Sequence, residues 1–155
     1  MQWETIFSIA NGWPLPFWLL LAFGPRSETT ARIIFYGGVA MLAATYALLF
    51  PLVLTGLIDA GGPALPAVSE MAQLSGIMAF FDSKAGAVGG WIHYLAFDLF
   101  VGLWIARNAD RHGYQRFIQG VLLFFTLMLG PVGLFLYLLL RLTCKNIPEN
   151  ATAPS

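Results

Sequence analysis

The chain has 155 residues, of which 58% are hydrophobic and 10% are charged. Soluble domains carry about 25% charged residues, so this composition excludes a water-soluble globule, and it equally excludes a disordered chain. Eight basic and eight acidic side chains cancel, so the net charge gives no sign of a nucleic-acid-binding protein and no nucleic-acid partner is predicted. We therefore expect an integral membrane protein whose first partner is the lipid bilayer.

Four apolar stretches are long enough to cross the hydrocarbon core of a membrane, which needs about 20 residues per helix. They run over Ile6–Phe23, Ile33–Leu57, Ala87–Ile105 and Phe117–Leu140. The predicted fold class is therefore all-α: a bundle of four transmembrane helices that forms a single domain over residues 1–145. Residues 146–155 are predicted to form a disordered polar tail.

The first stretch is interrupted by Asn11, Gly12, Pro14 and Pro16. It is not expected to be a cleaved signal peptide, because no lysine or arginine precedes Arg26. With four spans, five arginines would lie on one side of the membrane and three basic residues on the other. This bias places both termini outside the cytoplasm of a bacterial inner membrane.

The connection from Asp59 to about Gly86 is predicted to contain an amphipathic helix. Met71, Leu74, Met78 and Phe81 recur at helical spacing, and Ser69 is a candidate N-cap. Two interpretations are open for this helix. It covers a lateral entrance for an apolar substrate, or it packs against the end of the bundle. The second is favoured because the polar face lacks the lysines and arginines of interfacial helices.

The third span contains two ionisable side chains, His93 and Asp98. A charge in hydrocarbon costs at least about 2.5–3.5 kcal/mol, so Asp98 is expected to face inward and to be either hydrogen-bonded or protonated. Such a carboxyl group can exchange a proton with a lipophilic substrate. The alternative is a structural hydrogen bond that ties two helices together, with Thr126, Asn11 or Tyr46 as its partner.

His93 lies five residues before Asp98, about 140° around the helix. The two side chains are therefore not expected to form a metal site or an ion pair. The single cysteine, Cys144, excludes a thiolate cluster. No cofactor and no metal are predicted.

The run Trp91-Ile92-His93-Tyr94-Leu95-Ala96-Phe97-Asp98-Leu99-Phe100 resembles the signature of the abscisic-acid-deficient-four-like family. Two further segments are similar to it, Thr5–Asn11 with the following Pro14-x-Pro16-Phe17-Trp18, and Leu127–Leu134. The resemblance extends from Thr5 to Arg141. One departure stands out, because family members often carry arginine five residues after the aspartate, where this chain has Leu103.

This resemblance implies a membrane protein of carotenoid metabolism, whose plant relatives act in neoxanthin synthesis. The implied reaction opens a xanthophyll epoxide to an allenic alcohol without net redox change. It implies Asp98 and His93 as the acid and base, and Asn11, Trp91, Tyr94 and Phe97 as residues that bind a carotenoid-like polyene. The function predicted is a cofactor-independent carotenoid isomerase. The alternative is a non-catalytic pigment-binding or assembly subunit of a homo-oligomer or a larger membrane complex.

Overall fold

The structure, a computed structural model, describes residues 2–143, and every regular element in that range is a helix. Three helical stretches are long and apolar enough to cross a membrane, Trp3–Phe23, Glu28–Leu54 and Lys84–Arg111. They correspond to the first three predicted spans. The all-helical prediction is confirmed. The predicted tail, residues 146–155, lies outside the described residues.

The first stretch consists of two helices, α1 (Trp3–Gly12) and α2 (Leu15–Phe23). Pro14 immediately precedes α2, and Pro16 lies in its first turn. Proline is tolerated there because the first turn of a helix has no acceptors for its backbone N–H groups. At the predicted interruption, α1 therefore ends and α2 begins after two intervening residues. Together they form one apolar stretch of 21 residues.

The second stretch contains α3 (Glu28–Ile33), a π-helical segment (Ile34–Ala40) and α4 (Met41–Leu54). A π-helix lengthens the hydrogen-bonding interval by one residue and disturbs the regular ladder of carbonyl acceptors. Trp13 uses this disturbance, since its Nε1 donates to the Gly37 carbonyl oxygen at 2.9 Å. The π-helical segment thus ties the first stretch to the second.

The connection to the third stretch contains a short 3₁₀ turn (Glu70–Ala72) and then α5 (Leu74–Asp82). The predicted N-cap residue, Ser69, makes no side-chain capping bond and precedes the 3₁₀ turn instead. Helix α5 packs against the third stretch with Phe80 buried. The buried face differs from the predicted one, because Leu74 and Met78 of the predicted apolar face are exposed while Phe80 is buried.

Helix α6 (Lys84–Arg111) is the central element, 28 residues and about 42 Å long. Ser83 caps it, because its Oγ accepts a bond from the Gly86 amide at 3.0 Å. Ile92, Leu99 and Ile105, all fully buried, place α6 in each of the three hydrophobic clusters of the core. The other helices are arranged around this one.

The fourth predicted span differs from the structure. The stretch Phe117–Leu140 is divided into α7 (Arg116–Leu129) and α8 (Pro131–Thr143). Gly130 joins them with a φ of 38°, a conformation that favours glycine, and Pro131 cannot donate the amide that would continue α7. Each helix is shorter than a full membrane span.

Helix α8 turns back along α7, and we call the pair the terminal hairpin. Gly133 lies so close to Thr126 that a Cβ at Gly133 would overlap it, although residues seven apart in one straight helix are separated by about 10 Å. The Tyr137 hydroxyl donates to Asn108 Oδ1 at 2.5 Å, near the C-terminal end of α6. The hairpin therefore enters beside that end of α6, reverses at Gly130 and returns.

Candidate functional site

A largely apolar cavity of about 480 Å³ lies against the middle of α6. It is bounded by α4, by the connection with α5, by α6 and by the tip of the terminal hairpin. The lining residues are Tyr46, Met71, Ile77, Phe80, Phe81, Gly90, His93, Tyr94, Phe97, Asp98, Val101, Gly130, Pro131 and Leu134. The cavity exists because the hairpin reverses at half the length of α6, so no helix of the hairpin fills the space between its tip and α5.

The α6 wall of the cavity is one helix face with His93 and Asp98 at its two edges. Its residues follow the intervals of three and four that place side chains on one side of a helix. Phe97 and Tyr94 lie between the two ionisable residues. The predicted separation of about 140° therefore holds, but one wide cavity accommodates both side chains.

Asp98 is half-buried and faces the tip of the hairpin. Gly130 approaches its carboxyl group so closely that a Cβ at Gly130 would overlap Oδ1. Helix α8 begins at the next residue, so the partially positive N-terminal end of a helix lies beside the carboxyl. No side chain or amide among residues 2–143 donates a hydrogen bond to it.

Two of the three predicted structural partners of Asp98 are engaged elsewhere, and the third, Tyr46, lines the same cavity without a hydrogen bond to the carboxyl group. Thr126 Oγ1 donates to the Leu122 carbonyl oxygen at 2.8 Å, within its own helix. Asn11 Oδ1 accepts a bond from Trp91 Nε1 at 3.1 Å. The carboxyl group is therefore available to a molecule in the cavity rather than used to tie two helices together.

His93 lies at the opposite edge of the same wall, in an aromatic environment. Its ring stacks on Phe97 with centroids 4.5 Å apart, and the Tyr46 ring approaches at 5.7 Å. These contacts hold the imidazole plane while leaving its nitrogens without a hydrogen-bond partner among the described residues. A neutral imidazole can accept or donate a proton, so the cavity contains two groups capable of proton transfer.

Asn11 and Trp91 form a separate pair outside the cavity. Besides the bond between them, the Trp91 ring packs near Phe7 at 6.0 Å, on the side of α6 that faces α1. Of the six predicted site residues, the structure thus brings together Asp98, His93, Tyr94 and Phe97. The substrate-binding role of Asn11 and Trp91 stays a prediction.

Sequence reasoning missed the cavity residues that come from other elements. Tyr46 was considered only as a hydrogen-bond partner of Asp98, and Phe80 was not singled out. Gly130 and Pro131 fall inside the predicted fourth span, whereas in the structure they form a wall of the cavity. The Gly-Pro pair was the available signal, since it marks a break in a helical pattern.

These side chains do not form a metal centre. No three His, Cys, Asp or Glu side chains gather into a potential metal site within the part of the chain that the structure describes. The chemistry that the arrangement offers is proton transfer in an apolar surrounding, where electrostatic interactions are stronger than in water.

A family model described as ABA DEFICIENT 4-like matches residues 5–137 of the chain. The chain belongs to the ABA DEFICIENT 4-like family. The matched range begins in α1 and ends in α8, so it includes both ionisable residues of the cavity and the hairpin tip. No curated protein and no solved structure matches the chain significantly.

Membership in the ABA DEFICIENT 4-like family confirms the resemblance found in the sequence. It implies a role related to carotenoids or xanthophylls. The three apolar stretches fit a membrane protein. Lipid-soluble pigments such as carotenoids also reside in membranes.

Proposed function

We propose that this protein is a cofactor-independent isomerase that acts on a carotenoid or xanthophyll in the cavity beside α6. One observation carries the proposal: Asp98 and His93, two groups able to transfer protons, line the same apolar cavity at the middle of a membrane-spanning helix. A volume of about 480 Å³ lies within the range of small-molecule sites, about 300–1,000 Å³. It is large enough for the end ring of a polyene.

The reaction needs one proton donor and one proton acceptor. A xanthophyll 5,6-epoxide opens when its oxygen gains a proton and its C–O bond breaks, and a neighbouring polyene carbon then loses a proton to give the allenic alcohol. Mass and redox state are unchanged. Asp98 and His93 fill these two roles, and the aromatic rings of Phe97 and Tyr94 between them offer an apolar surface for the polyene.

Expression in a bacterium that produces epoxy-xanthophylls tests this function directly. Chromatography and mass spectrometry of the extracted pigments should show a new isomer of unchanged mass when the wild-type protein is present. Asp98→Asn keeps the shape of the side chain but removes its acid–base function, so product should fall by about 100-fold or more. His93→Gln should lower it similarly.

Asp82→Asn is the matched control, since Asp82 is an exposed carboxylate that does not line the cavity. It should leave product formation unchanged. All variants are compared at equal membrane yield and equal melting temperature in detergent. Full activity of Asp98→Asn, or pigment that is bound by the wild type but never converted, would refute the isomerase.

A further inference from the structure

The two ends of the bundle are fixed by polar contacts between the helices. At one end, Lys84 Nζ bonds Glu4 Oε1 at 2.5 Å, which joins the start of α6 to the start of α1. At the other end, Arg107 Nη2 bonds Glu28 Oε1 at 2.7 Å, which joins the last turns of α6 to the start of α3. We call these the Lys84 end and the arginine end.

The start of the terminal hairpin also lies at the arginine end. Arg116 Nη2 donates to the Gly24 carbonyl oxygen at 2.9 Å, just beyond the end of α2. Buried Gln119 connects the same region, because its Oε1 accepts from Arg26 at 2.9 Å and its Nε2 donates to Asp110 at 2.7 Å.

Helix α8 returns to the arginine end rather than crossing to the Lys84 end. The Tyr137 ring meets the Trp104 ring edge-on at 5.5 Å, and its hydroxyl bonds Asn108. Both partners lie in the last two turns of α6. Arg141 follows Tyr137 by one helical turn, so it lies at the arginine end as well.

This geometry separates charge across the molecule. Within residues 2–143, six basic residues lie at the arginine end, namely Arg26, Arg32, Arg107, Arg111, Arg116 and Arg141, and the acidic residues there are Glu28 and Asp110. The Lys84 end carries Lys84 with the acidic residues Glu4, Asp59, Glu70 and Asp82. One end is therefore strongly positive and the other negative.

We propose that the arginine end is the surface that contacts the anionic phospholipid headgroups of the cytoplasmic leaflet, and that the terminal hairpin enters and leaves the membrane at this surface. Basic residues near an anionic membrane surface are attracted to its headgroups, and basic residues near span ends set the orientation of membrane proteins. The N-terminus then lies outside the cytoplasm, whereas the end of α8 lies inside. A fourth continuous span would put both outside.

Cys144 is the single cysteine and directly follows α8 in the sequence, so it reports the side on which the hairpin ends. In spheroplasts of an expressing bacterium, a membrane-impermeant maleimide should leave Cys144 unlabelled until the membrane is permeabilised. The matched control is Ser69→Cys combined with Cys144→Ser, which places a thiol on an exposed residue at the Lys84 end. That variant should be labelled without permeabilisation.

Labelling of Cys144 in sealed spheroplasts would overturn the proposal. A second variant tests the lipid contact itself: Arg32→Gln, Arg111→Gln and Arg141→Gln together remove three arginines whose side chains make no hydrogen bond to other described residues. This triple variant should insert in both orientations, so that a substantial fraction of Cys144 becomes labelled from outside. A triple variant that stays as uniformly oriented as the wild type would contradict the role of the arginine end.

Discussion

At the scale of single residues, the surroundings of Asp98 depend on a neighbour that has no side chain. Gly130 has a positive φ and lies directly against the carboxyl group. Any Cβ at this position would meet the carboxyl oxygens and would also force an L-residue into a strained backbone conformation. Glycine is therefore required for both the turn and the position of the acid.

Gly130→Ala should lower the free energy of unfolding by about 1–3 kcal/mol and reduce product formation, because the carboxyl must move or the hairpin tip must open. Gly120→Ala is the control from the same hairpin. A Cβ at Gly120 meets nothing, so alanine there should leave stability unchanged or slightly raised. Thermal denaturation in detergent compares them, and equal stability of the two variants would show that the close approach at Gly130 is unimportant.

At the scale of elements, the terminal hairpin is held to α6 by Tyr137. This side chain is fully buried, and its hydroxyl bonds Asn108 while its ring meets Trp104. A buried hydrogen bond between two helices in a membrane has few alternatives, since lipid tails offer no donor or acceptor. The bond therefore specifies where along α6 the hairpin docks.

Tyr137→Phe should lower the free energy of unfolding by about 1 kcal/mol, because it removes the hydroxyl and leaves the Asn108 oxygen without this donor. Tyr36→Phe is the matched control, since Tyr36 is 66% exposed. It should have no measurable effect. Unfolding of purified protein in mixed micelles measures the difference, and identical curves for both variants would count against a docking role of Tyr137.

The sequence predicted where helices form better than it predicted where the chain reverses between them. The apolar content and the helical spacing of apolar residues identify a helix, and both place His93, Tyr94, Phe97 and Asp98 on the third span. They cannot distinguish one span of about 24 residues from two half-length helices that reverse, because both give the same apolar run. The cavity residues Tyr46 and Phe80 could not be predicted for a related reason. Tyr46 approaches His93 through packing between helices far apart in the sequence, and Phe80 lines the cavity because α5 folds back against the adjacent α6.

At the scale of the whole molecule, the arginine end contains a partly buried polar network, whereas the Lys84 end has an exposed ion pair. Arg26 Nε lies 3.2 Å from Asp110 Oδ2, and the buried amide of Gln119 bonds both residues. Burial lowers the pKa of Arg26, as does the nearby Arg116, while the Asp110 carboxylate opposes this change. The guanidinium thus depends on its partners to remain charged in a partly desolvated place.

Gln119→Leu should therefore destabilise the whole bundle, by about 2 kcal/mol, because it takes a hydrogen-bond partner from each of two charged groups. Gln115→Leu, at an exposed position four residues earlier, is the control and should be nearly neutral. Chemical denaturation monitored by tryptophan fluorescence measures both. If Gln119→Leu proved as stable as the control, the direct contact between Arg26 and Asp110 would be sufficient by itself.

The short reach of the terminal hairpin has a consequence for how this protein can change. One wall of the cavity, with Asp98 and His93, belongs to the long helix α6, which α1, α2, α4, α5, α7 and α8 all pack against, so this wall is hard to alter. The opposite wall is the turn at Gly130 between the two short helices α7 and α8. Adding or removing one helical turn in both α7 and α8 would move the turn at Gly130 by about 5 Å and would leave the α6 wall unchanged. The length of the hairpin alone would therefore set the size of the cavity, while Asp98 and His93 stay in place.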